Sequence, residues 1–348
     1  MLTNEEKKQY NRHLILDEIG MEGQLKLKQA KVLVVGAGGL GCPILQYLTA
    51  AGVGTIGVLD HDVVDQSNLQ RQVLYTHADI GTSKAEAAVN RLSGLNPYVN
   101  FNIHNEELYS DNAIEIFEAY DIIVDGTDNF PTRYLVSDAV ALTNKVLVFG
   151  SIFKFDGQVS VFNYKGGPTY RCLYPSPPEP ETVPNCSQIG VLGVLPGLIG
   201  CLQANEVIKV ICNLGEVLSG KLLTINALSL EQNVFGFDKN ESLIIDKLED
   251  SYEIMCGLVP GITELTLDEI QAQNLSPVFI DVRRLEERIK EPIIESIHIP
   301  LDELESRVSE VSKDKTIVVF CSIGIRSKKA IEILKNNSFE NQLISLKR

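Results

Sequence analysis

"KVLVVGAGGLGCPILQYLTAAG", residues 31–52, decides the fold. A short apolar run ends at Gly36, and a helical pattern follows that stops at Gly52. Gly36, Gly38 and Gly41 fall between the two at G-x-G-x-x-G spacing. Glycines there let the backbone turn tightly and approach an anion, while the helix N-terminus supplies unpaired N–H groups. Asp60 closes the next apolar run, twenty-four residues after Gly36, where a carboxylate can accept hydrogen bonds from ribose hydroxyls. Apolar runs and helical patterns go on alternating to about Val161, which implies a parallel, doubly wound sheet. "GQVSVFNYKGG" (157–167) and "KLLTINALSLEQNVFGF" (221–237) read as longer, regular strands that extend the sheet in antiparallel fashion.

The chain has 348 residues, too many for one ordinary domain. Its formal net charge of -15 argues against DNA or RNA partners, which call for a basic face. Seven scattered cysteines do not make a secreted disulfide framework. The N-terminus is charged and has no apolar core, so no signal peptide is expected. The apolar stretch 189–204 is broken by glycines and Pro196 and falls short of the ~20 residues a bilayer needs. A cytoplasmic protein with reduced thiols and no membrane partner is expected. "YPSPPEPETVPNCSQIG" (174–190) carries five prolines and reads as an extended loop holding Cys186. A boundary is expected near residues 257–262, with a second, small α/β domain beyond it.

The residues after the glycine loop depart from a dinucleotide enzyme. "DHDVVDQSNLQRQ" (60–72) brings Asp62, Asn68, Arg71 and Gln72 close behind Asp60, and "GTSK" (81–84) puts Lys84 at a helix start. Arg71 and Lys84 are cations placed to meet a polyphosphate. In "DIIVDGTDNFPTR" (121–133) Asp128 follows a strand end. It either holds Mg²⁺ facing the phosphates or caps the helix that Pro131 begins.

Together "YNRHLIL", "GAGGLG", "LDHDVVDQSNLQRQ", "IGTSKAEAA", "DGTDNFPTRY" and "GCLQANEVIK" resemble the ubiquitin-activating-like adenylyltransferases of the MoeB/ThiF/HesA type, in order over residues 5–257. The resemblance implies a Rossmann-like domain spanning 1–257. It also implies ATP with Mg²⁺, and a ubiquitin-fold sulfur carrier whose C-terminal carboxylate attacks the α-phosphate. Residue by residue, it implies Gly39 in the loop and Asp60 on ribose. Asn68, Arg71 and Lys84 fall on phosphates, with Gln72 and Asn129 in the same nucleotide-binding set and Asp128 as the Mg²⁺-linked carboxylate. Arg12 of "YNRH" matches an arginine that reaches into a neighbouring subunit's site, so a homodimer is implied. Relatives carry two CxxC pairs on zinc. Here Thr169 and Glu253 replace one cysteine of each pair, leaving Cys172 and Cys256, so a zinc-free fold with both thiols packed as small apolar groups is expected. Cys186 matches a loop cysteine that attacks or stores the acyl group in some members. Cys42, Cys201 and Cys212 lie in apolar helical patterns and are expected in the core.

"PVFIDVRRLEER", "SIHIPL" and "TIVVFCSIGIRSKKA" resemble a rhodanese domain over residues 262–348. The loop from Cys321 to Arg326 has six residues; related dual-specificity phosphatases use one more, so its length favours sulfur over phosphate. Gly324 lets it curl. The gathered N–H groups, the helix dipole and Arg326 are expected to lower the thiol pKa and stabilise a persulfide. Many such domains continue past the point where "ISLKR" stands, so a domain trimmed at its C-terminus is expected. The whole implies adenylation of a MoaD/ThiS-type carrier, then sulfur transfer from a Cys321 persulfide loaded by a sulfur donor, in molybdopterin or thiamin synthesis. The alternatives are an activating enzyme for another substrate, such as a tRNA dehydratase, and a non-catalytic carrier-docking module.

Overall fold

The computed structural model describes residues 1–178, 190–257 and 262–347, apart from positions 274, 292, 323 and 340. The chain divides into two compact units, Met1–Leu248 and Glu249–Arg348.

The first unit is built on an eight-stranded sheet in the order β3-β2-β1-β4-β5-β6-β7-β8. The strands are β1 (Lys31–Val35), β2 (Thr55–Leu59), β3 (Asn100–His104), β4 (Ile122–Asp125), β5 (Val146–Phe153), β6 (Asp156–Phe162), β7 (Lys221–Asn226) and β8 (Gln232–Gly236). β1 to β5 pair in parallel and β6 to β8 add antiparallel strands. Val32, Leu33 and Val34 of β1 are fully buried, as expected of a strand covered on both faces. Strand order reverses between β1 and β4, and ligands of such sheets bind beyond the carboxyl ends of the strands at that point.

The stretch 221–237 is a hairpin rather than one strand. Asn226 Oδ1 accepts the N–H groups of Leu228 and Ser229, and Leu230 takes the left-handed conformation at φ 58°. That Asx turn folds β8 back along β7.

The helix Leu195–Cys212 lies in the 194–212 span, the one described segment long and apolar enough to cross a membrane. Here it packs on the helix Gly41–Ala51 and on β5 and β6. A Cβ on Gly200 would meet Leu40 O at 2.6 Å, so glycine there sets the helix-to-helix approach. Glu206 and Lys209 pair on it at 2.5 Å.

The second unit opens with the helix Tyr252–Met255. Its five parallel strands are β9 (Thr263–Leu265), β10 (Val278–Asp281), β11 (Ile297–His298), β12 (Ile317–Phe320) and β13 (Leu343–Leu346), in the order β11-β10-β12-β13-β9. Residues 301–311 hold a short helix, Leu301–Leu304, and a 3-10 turn, Val308–Glu310, where the pattern predicts one longer helix. Ser306 Oγ donates to Glu303 O, the back-bonding by which serine competes with continued helix. Arg283 is buried against Asp281, with Nε to Oδ1 at 2.9 Å and Nη2 to Oδ2 at 2.8 Å.

Two substitutions test these constraints. In Gly41→Ala the new Cβ falls 2.0 Å from Gly36 O. The urea midpoint of the first unit should drop, with a loss of ~2 kcal/mol or more. Asp281→Asn leaves the Arg283 cation buried without its counter-charge and should cost ~3 kcal/mol in urea unfolding of the second unit, whereas pairing it with Arg283→Met should recover much of that loss.

Candidate active site

The glycine loop leaves β1 at Gly36, which takes φ 91°. A Cβ there would meet Gly126 O at 2.9 Å, so the loops after β1 and β4 lie against one another at the point of reversal. Asp60 joins two backbone turns. Its Oδ2 accepts the Ala37 N–H at 2.7 Å and its Oδ1 the Asp62 N–H at 2.8 Å. Burial pushes the Asp60 carboxyl above its ordinary range, against the pull of the Lys84 ammonium and those two N–H groups. Each oxygen keeps a further lone pair for a ligand hydroxyl.

Lys84 begins the helix Lys84–Leu95 and is 6% exposed. Its Nζ sits 2.8 Å from Asp62 Oδ2, and its N–H donates to Asp62 O at 2.9 Å. Burial opposes ionisation of Asp62, but the Lys84 hydrogen bond and charge outweigh it and hold this carboxyl below its ordinary value. Arg71 Nη1 donates to Ser67 O, and its Cγ stands 3.6 Å from where a Gly39 Cβ would be. Pro196 walls the same glycine at 3.1 Å. Gln72 is buried, with Nε2 3.5 Å from a Cβ built on Gly38. Its Oε1 has no hydrogen-bond partner among the described residues. Asn68 Oδ1 accepts the Asp65 N–H. The structure therefore gathers Asp60, Asp62, Asn68, Arg71, Gln72 and Lys84 on the β2-to-helix segment that borders the glycine loop.

Asp128 is exposed beyond β4. Asn129, not Asp128, caps the helix Phe130–Thr143, accepting the Thr132 N–H at 2.9 Å. Sequence reading passed over the group that shapes this loop. Asp125 is fully buried and its Oδ1 accepts both the N–H and the hydroxyl of Thr127, at 2.9 and 2.6 Å. Its Oδ2 lies 3.5 Å from Arg133 Nε, and Gln203 donates to its carbonyl at 2.7 Å. Burial raises the Asp125 pKa while Arg133 and Thr127 oppose the rise. Both ends of the pair stand in "DGTDNFPTR", but nothing local in that string signals their burial.

Arg12 is exposed on the short helix Asn11–Leu14. Cys186 lies outside the described residues. Cys172 differs from the expected apolar packing. It is half-buried, and its sulfur accepts N–H groups from Thr169 and Asn240, each at 3.4 Å. Cys256 is buried in the second unit. Among the described residues no three His, Cys, Asp or Glu side chains are grouped to hold a metal ion. Burial pushes the Cys42 thiol up to about 12, and Cys212 is also buried, whereas Cys201 is only half-buried.

In the second unit Cys321 directly follows β12 and is fully buried. Gly324, at φ 88°, turns its N–H onto Cys321 Sγ at 3.1 Å and caps the helix Ile325–Asn336. The thiol reaches Ser327 Oγ at 3.8 Å, and that hydroxyl donates to Gly324 O and meets Ser345 of β13 at 2.8 Å. The Arg326 guanidinium forms a bidentate pair with Glu287, at 2.7 Å for each bond, and Ser322 donates to the same carboxylate at 2.9 Å.

A doubly wound sheet with a glycine loop at its point of reversal, joined in sequence to a cysteine loop on a small parallel sheet, defines a two-part α/β protein of Rossmann-like type. The chain belongs to the ThiF family, which matches residues 10–242, and it continues into a rhodanese-like domain over residues 264–348. It is 42% identical, over 98% of its length and 91% of the relative's, to the probable adenylyltransferase/sulfurtransferase MoeZ of Mycobacterium tuberculosis. It is 42% identical, over 96% and 80%, to the adenylyltransferase and sulfurtransferase MOCS3 of Drosophila yakuba. A sulfur carrier protein adenylyltransferase of Thermus thermophilus is 49% identical over 74% of this chain and 98% of its own. The solved structure of E. coli MccB shares the fold, with a TM-score of 0.58 at 21% identity over 64% of this chain and 68% of that one.

The Arg326 hydrogen bond brings Glu287 from its ordinary 4.5 to about 2. A carboxyl depressed in the folded state adds stability above its unfolded pKa and loses it as pH falls through the folded one. The melting temperature of wild type should therefore exceed that of Glu287→Gln at neutral pH, with the difference shrinking as pH falls from 4.5 to 2.

Proposed function

We propose that the chain adenylates the C-terminal carboxylate of a ubiquitin-fold sulfur carrier and then passes it sulfur from a persulfide on Cys321. The observation that carries this reading is the glycine cradle bordered by Arg71, Lys84 and the Gln72 Nε2 donor, on the same chain as the Cys321 loop. Gly38 and Gly39 carry no Cβ on the side that Gln72 and Arg71 border, with the buried Lys84 on the same segment, so these residues fit a nucleotide polyphosphate. Asp60 offers lone pairs to the ribose hydroxyls. Arg71 and Lys84 offset the phosphate charge that would repel an incoming carboxylate, and no general base is needed because that carboxylate is already ionised. Asp128 is the residue that would hold Mg²⁺, which when bound neutralises further phosphate charge. Arg12 would complete the site of a second copy in a homodimer.

In the first step the carrier carboxylate displaces pyrophosphate from ATP and forms an acyl-adenylate. In the second, the outer sulfur of the Cys321 persulfide attacks the acyl carbon and AMP leaves with the bonding pair. The resulting acyl disulfide is cleaved by a thiol, either Cys186 or an external one. That thiol bonds to the Cys321 sulfur, and a thiocarboxylate leaves on the carrier. A probable molybdopterin-synthase adenylyltransferase of Porphyra purpurea, 42% identical over 97% of this chain and 90% of its own, supports a place in molybdopterin synthesis.

Carrier-dependent ATP–pyrophosphate exchange tests the first step. Lys84→Ala should lower its rate ~100-fold, and exchange unchanged in both Lys84→Ala and Asp128→Ala would remove those residues from the site. Cys321→Ala should keep exchange while mass spectrometry finds no carrier thiocarboxylate.

A further inference from the structure

We propose that Glu287 sets the sulfur-donor specificity of the Cys321 loop, occupying Arg326 so that dianionic donors of the thiosulfate class are disfavoured and hydropersulfides are accepted. This rests on the sulfurtransferase reading of Cys321 and adds to it the class of donor.

A guanidinium in the first turn of the loop helix is the natural partner of an anionic donor, because its fork matches an oxyanion in two bonds. Here the fork is already filled. Both terminal nitrogens of Arg326 lie 2.7 Å from the two oxygens of Glu287, a residue of the helix Leu285–Lys290. The carboxylate is held in place on its other sides. It accepts the Ser322 hydroxyl at 2.9 Å and the Arg284 N–H at 2.9 Å. The next cation on the loop helix is treated alike. Lys328 is 6% exposed and pairs with Glu264 of β9 at 3.0 Å, and Glu264 Oε1 lies 3.7 Å from a Cβ built on Gly324. Two carboxylates thus flank the loop and each is matched to one of its cations. A dianion arriving there would have to displace Glu287 and then sit beside it.

Either donor loads the same product. The Cys321 thiolate attacks the sulfane sulfur and the donor S–S bond breaks. Sulfite leaves thiosulfate with the bonding pair, or a thiolate leaves a hydropersulfide with it. Only the first route brings two negative charges to the loop.

The experiment uses the full chain with thiosulfate and with cysteamine hydropersulfide, a donor of net zero charge, and follows transfer to cyanide. Glu287→Gln keeps the shape and the Arg284 cap acceptor but removes the charge. The ratio of kcat/KM for thiosulfate to that for the hydropersulfide should rise about tenfold, mainly through the KM for thiosulfate. Adding Arg326→Gln should cancel that rise. A ratio unchanged in Glu287→Gln, or a rise that survives in the double variant, overturns the proposal while transfer itself stands. Wild-type protein that takes sulfur from neither donor, yet still supports carrier-dependent exchange, overturns the sulfurtransferase reading and this proposal with it.

Discussion

The first unit depends on one close approach of backbone to backbone. Gly36 O lies 2.0 Å from the point where a Cβ on Gly41 would stand. The chain can leave β1 and enter its helix only if that position carries no side chain. Once it does, the loop after β1 meets the loop after β4, Asp60 fastens the turn by its Ala37 hydrogen bond, and Pro196 closes the far wall. Gly36 and Gly41 are therefore steric requirements of the fold, whatever ligand the loop receives.

Both candidate sites stand at the same kind of place, where a parallel strand runs into a helix N-terminus. They treat charge alike too. Lys84 is desolvated against Asp62, Arg133 against Asp125, Arg326 against Glu287 and Lys328 against Glu264. Burying a cation without such a partner would cost several kcal/mol, so the carboxylates are the condition on which cations stand at these loops. The arrangement keeps each cation in position before any ligand arrives.

How much of this was legible follows from distance along the chain. The glycine loop, Asp60, the strand alternation and the Cys321 turn are local patterns, and the sequence carries them openly. The hairpin at 227–231 was not legible because its turn rests on Asn226 and a left-handed Leu230, with neither glycine nor proline to mark it. The break after Leu304 was hidden in the same way by an amphipathic pattern, which the serine back-bond overrides. The Arg326–Glu287 pair joins residues 39 apart, and Cys172 finds Asn240 across 68. Such partners are set by packing, so the sequence named the arginine and the cysteine but not the Glu287 and Asn240 they meet.

One consequence of the Lys84–Asp62 pair concerns release rather than capture. On the proposed reading, a phosphate reaching Lys84 replaces a carboxylate that is already bonded, so the attraction it gains is a difference between two ion pairs. Asp62 stays tethered at hand and competes for the ammonium throughout. A resident competitor of this kind sets a ceiling on product retention, and a site that must shed pyrophosphate in every cycle turns over faster under such a ceiling than with a bare cation.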